Sequence, residues 1–109
     1  MAKTPFERFK KSLTKDNLWI YILTLLQTGE LYPYEIKNKI EKEFNFKPGN
    51  VTAYIVLKKL EIGGYVKISK VKKEQGPERT YYTITDVGKH ELKKTIRFYK
   101  DQIANLKND

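Results

Sequence analysis

Three features of the sequence predict a small α+β domain that is mainly α-helical. Apolar residues recur every three or four positions over most of the chain, which is the period of amphipathic helices. Between residues 65 and 84 the pattern changes to the alternation that is typical of a β-hairpin. A final helical pattern follows the hairpin. This order predicts a winged helix-turn-helix with an extra N-terminal helix and a C-terminal dimerisation helix.

The length of 109 residues predicts a single domain. Within it we place an N-terminal helix in residues 1–16, the winged helix-turn-helix in 17–84 and the dimerisation helix in 85–109. Hydrophobic residues make up 39% of the chain, which is enough for a modest core. Small domains of this kind often gain stability by dimerising.

The chain is strongly basic, with 22 Lys and Arg against 13 Asp and Glu and a net charge of +9. This excess favours an anionic partner, and nucleic acid comes ahead of a membrane surface or an acidic protein. Solubility alone is the alternative explanation of the charge. Because no apolar run approaches the roughly 18 residues of a membrane span, and the N-terminus lacks a signal-peptide core, we expect a cytoplasmic protein without a membrane partner.

Residues that serve catalysis or bind metals are scarce. The sequence has no cysteine, and His90 is its single histidine. A thiolate zinc site, a cysteine nucleophile and a histidine cluster are therefore excluded. The glycines punctuate turns and form no phosphate-binding loop. We expect no catalytic residues, no metal and no cofactor.

The first helix is short and amphipathic. Pro5 is well suited to its first turn, and Phe6, Phe9 and Leu13 form its apolar stripe. The stripe is too narrow to fold alone, so we expect it to pack on another element, such as a second subunit. Attachment to a membrane surface is the alternative. The next helix, within residues 18–26, is apolar on nearly every side and is predicted to lie in the core.

Two helices joined by a short turn that contains Gly49 form the predicted helix-turn-helix. In the first, Ile36, Ile40 and Phe44 mark the buried stripe. The second is the candidate DNA-reading helix, with Asn50 as its N-cap. Its end is predicted at the glycine pair 63–64. Its apolar stripe is predicted to contain Val51, Tyr54, Leu57 and Leu60. Its open side is predicted to carry Thr52, Ile55, Lys58 and Lys59. An ordinary half-buried helix is the alternative.

The hairpin is predicted to be a basic wing. Its strands cover residues 65–71 and 79–84, and a polar turn joins them. The cations that flank the tip are Lys70, Lys72, Lys73 and Arg79. Such a wing can contact phosphates or enter the minor groove. Its position directly after the candidate DNA-reading helix favours this role over that of a merely solvated hairpin.

The last helix is predicted to begin after Thr85, a good N-cap residue. Apolar residues then recur at steps of four and three, the heptad spacing of paired helices. They are Leu92, Ile96, Tyr99, Ile103 and Leu106. We expect them to form a dimer interface together with the stripe of the first helix. Packing of this helix back on its own domain is the alternative.

Three groups of residues together resemble the PadR family of winged-helix transcriptional regulators. They lie between residues 20 and 92. The first consists of Gly29, Leu31, Tyr34, Glu35 and Ile36. The second consists of Thr52, Tyr54, Leu57, Leu60, Glu61 and Gly64. The third and most specific runs from Gly76 through Pro77, Arg79, Tyr81, Tyr82 and Thr85 to Gly88.

The resemblance implies a homodimer whose terminal helices form the interface. It also implies that the helix from Asn50 enters the major groove, and that the protein represses transcription until a small molecule relieves repression. Ile55 stands where family members often have proline. The last helix lacks the tryptophan with which multidrug-binding relatives hold flat ligands, so the sequence itself does not indicate a small-molecule effector.

We expect double-stranded DNA as the partner, bound at a pseudo-palindromic site because a dimer presents two reading helices roughly 34 Å apart. Asn50 and Thr52 are expected at base edges and Ile55 at a thymine methyl. The full set of expected DNA-binding residues is Tyr34, Lys47, Asn50, Thr52, Tyr54, Ile55, Lys58, Lys59, Lys70, Lys72, Lys73 and Arg79. A protein-interaction module and a non-specific nucleic-acid or chromatin binder are the alternative functions.

Overall fold

A computed structural model describes residues 3–73 and 75–106 of the chain. Its elements are α1 (Pro5–Leu13), a 3₁₀ turn (Lys15–Asn17), α2 (Leu18–Leu26), α3 (Pro33–Phe44), α4 (Asn50–Ile62), β1 (Val66–Lys72), β2 (Arg79–Ile84) and α5 (Asp86–Asn105). This order confirms the predicted, mainly helical α+β fold. The ends of the predicted N-terminal and C-terminal segments (residues 1–2 and 107–109) and Glu74 of the predicted wing turn lie outside the described residues.

The core is built around α2, as its apolar sequence predicts. Leu18, Ile22, Leu23 and Leu26 of this helix are almost completely buried. Helices α3, α4 and α5 and strand β2 all pack against it. The other buried apolar residues of these surrounding elements and of β1 are Ile36, Ile40, Ala53, Leu57, Leu60, Val66, Tyr82, Ile84 and Leu92. One helix thus supports both the helix-turn-helix and the hairpin.

The buried side of α4 differs from the prediction. Val51 and Tyr54 are 69% and 60% exposed, whereas Ala53, Leu57 and Leu60 are buried. The predicted stripe advanced in steps of three, and each such step falls about 60° short of a full helical turn. After three such steps the residues lie on the opposite side of the helix, so the four predicted residues cannot all face the core. The small Ala53 fills the place that the prediction gave to larger residues.

The start of α4 is a second correction. Asn50 is its first helical residue, and Gly49 is the N-cap. Gly49 has an extended conformation, and its carbonyl oxygen accepts the first helical bond from the N–H of Ala53 at 3.2 Å. Glycine is also a favourable N-cap residue. The helix therefore begins at Asn50, one residue before the start that an Asn50 cap would give. The predicted end is confirmed, because Gly63 caps the helix and Gly64 has φ +82°.

The hairpin has two irregular features. Its antiparallel register shifts between Ile68 and Lys70, so that Ser69 is an extra residue in β1. On the other edge of β2, the N–H of Leu31 donates to the carbonyl of Tyr82 at 3.1 Å, and the N–H of Tyr82 donates to the carbonyl of Leu31 at 2.8 Å. This bridge of a single residue ties the loop before α3 to the wing.

Helix α1 lies at the periphery and has no buried residue. Phe6 and Phe9 are largely exposed, and Leu13 is half-buried. Its C-terminal end is held by the Tyr21 hydroxyl, which donates to the carbonyl of Leu13 at 2.5 Å. The apolar stripe predicted for this helix therefore faces solvent in the single chain.

Helix α5 begins at the cap residue that the sequence predicted. The Thr85 hydroxyl oxygen accepts from the N–H of Gly88 at 3.1 Å, and the hydroxyl donates to the carbonyl of Gly64 at 2.6 Å. Leu92 is a correction: it is only 1% exposed and belongs to the core of its own chain, so it has no surface to offer a second subunit. Beyond it, Ile103 and Leu106 are strongly exposed.

Gly88 allows α5 to lie close to Tyr65, in the segment between α4 and β1, and this predicts a large effect of one methyl group. A Cβ at this position would overlap the backbone carbonyl of Tyr65 and the side chain of Ile84. We expect Gly88→Ala to lower the free energy of unfolding by about 1–3 kcal/mol through overpacking. In a helix without such contacts, alanine is more favourable than glycine by about 1 kcal/mol. A loss of stability in Gly88→Ala would therefore indicate the close contact and not helix propensity.

Thermal and urea unfolding measure this effect. The control is Lys89→Ala, the next residue of the same helix, whose side chain is exposed. A Gly88→Ala protein as stable as the wild type or more stable would contradict the close packing of α5 described here.

Candidate nucleic-acid interface

The exposed side of α4 carries polar, basic, apolar and aromatic side chains. Thr52, Ile55, Lys58 and Lys59 are all exposed there, as predicted. Val51 and Tyr54 join them, so the surface holds more apolar and aromatic area than the sequence indicated. Lys47 and Asn50, just before and at the start of the helix, are also exposed. Such a surface can contact base methyl groups as well as phosphates.

A groove of about 400 Å³ runs between the start of α3, α4 and the wing. It brings together Tyr34, Tyr54 and Arg79, three predicted site residues that are distant in sequence. Both tyrosine rings are more than half exposed. The remaining residues of its lining are Tyr32, Pro33, Pro77, Glu78, Thr80 and Tyr82. The helix-turn-helix and the wing therefore form one continuous surface.

A second depression, of about 490 Å³, lies on the wing itself. Lys72 and Arg79 line it together with Gln75, Pro77 and Tyr81. Lys73 is exposed next to it. Arg79 thus borders both depressions, and its side chain lies where the wing meets the groove.

Two adjoining aromatic rings, each with a cation on it, connect the wing to the loop before α3. The Nζ of Lys70 lies 4.7 Å from the ring centroid of Tyr81, and this ring meets that of Tyr32 edge to face at 5.3 Å. The Cζ of Arg79 lies 4.7 Å from the ring centroid of Tyr32. We call these four side chains the wing stack. Cations in such positions are attracted by the ring quadrupole.

Glu30 binds two residues of strand β1. Its carboxylate accepts from the Nζ of Lys70 at 2.8 Å and from the hydroxyl of Ser69 at 2.6 Å. Two successive residues of β1 can reach the same carboxylate because the extra residue interrupts the alternation of the strand. These bonds lower the pKa of Glu30, that from Lys70 most strongly.

The Glu30 contact changes the interpretation of Lys70. The sequence predicted it as a DNA-binding residue, and the structure places its ammonium group between a carboxylate and a tyrosine ring. Glu30 was not recognised as a site residue because it lies about forty positions from the wing. The residues around Glu30 form no sequence pattern from which its contact with Lys70 and Ser69 could be predicted.

Within residues 3–73 and 75–106, no group of three or more His, Asp and Glu is placed to hold a metal ion. Over the same part of the chain, no helix has the length and apolar character needed to cross a membrane.

A family model described as "Transcriptional regulator PadR-like family" matches residues 22–94. The chain belongs to this family. Its members are transcriptional regulators and not enzymes, which confirms the expectation drawn from the sequence. A comparison with curated proteins gave no match.

Solved structures of family members have the same fold. A transcriptional regulator of Clostridium thermocellum, Cth-833, is 26% identical with a TM-score of 0.73, over 88% of this chain and 90% of that chain. A PadR-like transcription factor of Bacteroides fragilis is 27% identical with a TM-score of 0.74, over 89% and 93%. Bacillus subtilis PadR, solved in complex with operator DNA, is 26% identical with a TM-score of 0.67, over 83% and 60%.

The Glu30 contact predicts a measurable titration. A carboxyl group whose pKa is lowered in the folded chain gives up its contribution as the pH falls through that pKa, so the contact is present at neutral pH and is lost only in acid. Lys70→Gln removes the main cause of the shift, and we expect the pKa of Glu30 to rise towards its ordinary value.

Side-chain carboxyl chemical shifts, followed by NMR through an acid titration, measure this pKa. Lys67→Gln removes the same charge from another position of β1 and is the control. A Glu30 that titrates normally in the wild type, or that responds equally to both substitutions, would contradict the contact.

Proposed function

We propose that this chain is a sequence-specific DNA-binding regulator, a repressor, which binds a pseudo-palindromic operator as a homodimer. The observation that carries the proposal is the common groove of α3, α4 and the wing, which joins Tyr34, Tyr54 and Arg79. It is supported by the family and by the related PadR of Bacillus subtilis, which was solved with operator DNA. The surface is basic in a chain of net charge +9.

Within this proposal the side chains have two kinds of role. The cations neutralise phosphates and supply most of the affinity through counterion release. They are Lys47, Lys58, Lys59, Lys72, Lys73 and Arg79. Tyr34 and Tyr54 donate their hydroxyls to phosphates at the groove. Lys70 contributes less, because Glu30 already compensates part of its charge.

Base recognition falls to the first two turns of α4. Asn50 and Thr52 can hydrogen-bond to base edges in the major groove. Ile55 reaches a thymine methyl, and the exposed Val51 is added to it as a second apolar contact. With so few polar groups available, DNA shape and deformability supply part of the selectivity.

The dimer rests on the apolar side chains that a single chain leaves exposed. Phe6 and Phe9 on α1 and Ile103 and Leu106 on α5 are more than half exposed. Exposed apolar groups of this size favour an interface. We place it on these residues, with Ile96 exposed and Leu13 and Tyr99 half-buried at its inner edge.

Repression and a cytoplasmic location complete the proposal. A dimer that occupies an operator blocks access to an overlapping promoter. The proposal includes no small-molecule effector, because α5 has no tryptophan of the kind with which multidrug-binding relatives hold flat ligands.

Selection of random duplexes by the purified protein, at two salt concentrations, tests DNA recognition. We expect an inverted repeat and a steep loss of affinity with salt. Changing Lys72, Lys73 and Arg79 together to Ala should lower affinity and reduce the slope of log K against log salt by about 5, since each phosphate contact contributes about 0.9 and the dimer carries each side chain twice.

The matched control is Lys39→Ala, Lys42→Ala and Lys94→Ala, three exposed lysines outside the proposed DNA-binding and dimer residues, which removes the same charge from a different surface. Binding without a preferred sequence would instead indicate a non-specific binder. Absence of binding would indicate a protein-interaction module. Equal effects of the two triple variants would remove the wing from the site.

Analytical ultracentrifugation tests the dimer. We expect a dimer at micromolar protein and a shift to monomer in Phe6→Ser/Phe9→Ser and in Ile103→Ser, because each introduces polar groups into an apolar contact. Ile62→Ser is the control, as Ile62 is 78% exposed at the end of α4, away from both helices of the interface. A monomeric wild type would overturn the proposed assembly.

A further inference from the structure

We infer that Tyr32 is a positioning residue for DNA binding: its ring holds the guanidinium of Arg79 at the groove between the wing and α3, ready to bind a phosphate. This inference rests on the proposed function and assigns a role to a residue that the sequence analysis left without one. The geometry that carries it is the wing stack, in which Arg79 lies over the Tyr32 ring at 4.7 Å.

Tyr32 is itself held from two directions. Its neighbour Leu31 forms both backbone hydrogen bonds of the bridge to Tyr82, which fixes the chain beside β2. Its ring contacts that of Tyr81 edge to face, with the planes inclined by 71°. Tyr81 in turn carries Lys70 on its ring. The platform beneath Arg79 is therefore anchored to both strands of the wing and to the helix-turn-helix.

A fixed platform matters because arginine has a long and flexible side chain. Ordering such a side chain upon binding costs free energy, and a side chain already held in place loses less. The guanidinium can stack through its flat face while its N–H groups remain directed outwards to a phosphate. Stacking and phosphate binding therefore use different parts of the group and do not compete.

Arg79 lies where the wing meets the groove of α3 and α4. The residue borders both the groove shared with Tyr34 and Tyr54 and the depression on the wing. Its guanidinium thus fixes the position of the wing with respect to the surface that α3 and α4 present. Lys72, which is paired with Arg79 across the hairpin, lines the depression on the wing.

A substitution of Tyr32 leaves the start of α3 intact. The capping contact there is a bond from the backbone N–H of Tyr32 to the carboxylate of Glu35 at 3.2 Å, which does not depend on the ring. Tyr32→Phe keeps the ring and removes only the hydroxyl. Tyr32→Leu keeps an apolar side chain and removes the π-surface.

The experiment measures the affinity of the full chain for its selected duplex over a salt series, with unfolding curves for each variant. Arg79→Ala should weaken binding and reduce the salt slope by about 1.8, because the dimer loses one phosphate contact from each protomer. Tyr32→Leu should weaken binding roughly five- to thirtyfold, the contribution expected of two exposed cation–π contacts, one in each protomer, while Tyr32→Phe stays close to the wild type. Arg79→Lys should resemble Tyr32→Leu, since lysine cannot stack in this way.

The combination Tyr32→Leu/Arg79→Ala separates positioning from general stability. We expect it to bind like Arg79→Ala alone, because the ring acts only through the arginine. Equal losses from Tyr32→Leu with and without Arg79 would overturn the inference, as would a Tyr32→Phe protein as weak as Tyr32→Leu. A wild type that selects no duplex would refute the proposed function itself, whereas normal wild-type binding with an inert Arg79→Ala would refute only the inference.

Discussion

The burial of α2 is the constraint on which the rest of the structure depends. Its nine residues are almost all apolar, and α3, α4, α5 and β2 pack around them. A domain of this size has little other apolar material to bury, so the surrounding elements must share one centre. This arrangement fixes the relative positions of α3, α4 and β2. The groove that unites the proposed DNA-binding residues follows from it.

The wing illustrates how charge alone can mislead about function. Four cations surround its tip in the sequence, but they have different surroundings in the fold. Lys70 contacts Glu30 and Tyr81, and Arg79 lies on Tyr32. Part of the basic character therefore serves the internal attachment of the wing. The contacts of Lys70 and Arg79 are visible only in the folded chain, because their partners are distant in sequence.

Local patterns predicted most of the fold. Prolines, caps and apolar periods located the helices, and Thr85 was recognised as the cap of α5. The failures arose where distant residues decide the outcome, and in α4, where the predicted stripe did not follow the helical period. Leu92 fitted a heptad seam but is buried by its own domain, and Ala53 was passed over because its side chain is small. Neither the bridge of Leu31 nor the contact of Glu30 with β1 leaves a periodic trace in the sequence.

The bridge at Leu31 also bears on how such a chain can evolve. Both of its hydrogen bonds are made by main-chain groups, so any residue other than proline can in principle keep them. This part of the attachment of the wing to the helix-turn-helix is therefore kept when side chains of the wing are exchanged, whereas the contacts of Glu30 and Tyr32 depend on the side chains present. A lineage can thereby change the side chains that its wing presents while inheriting the same main-chain framework, because the bridge does not depend on the identity of those side chains.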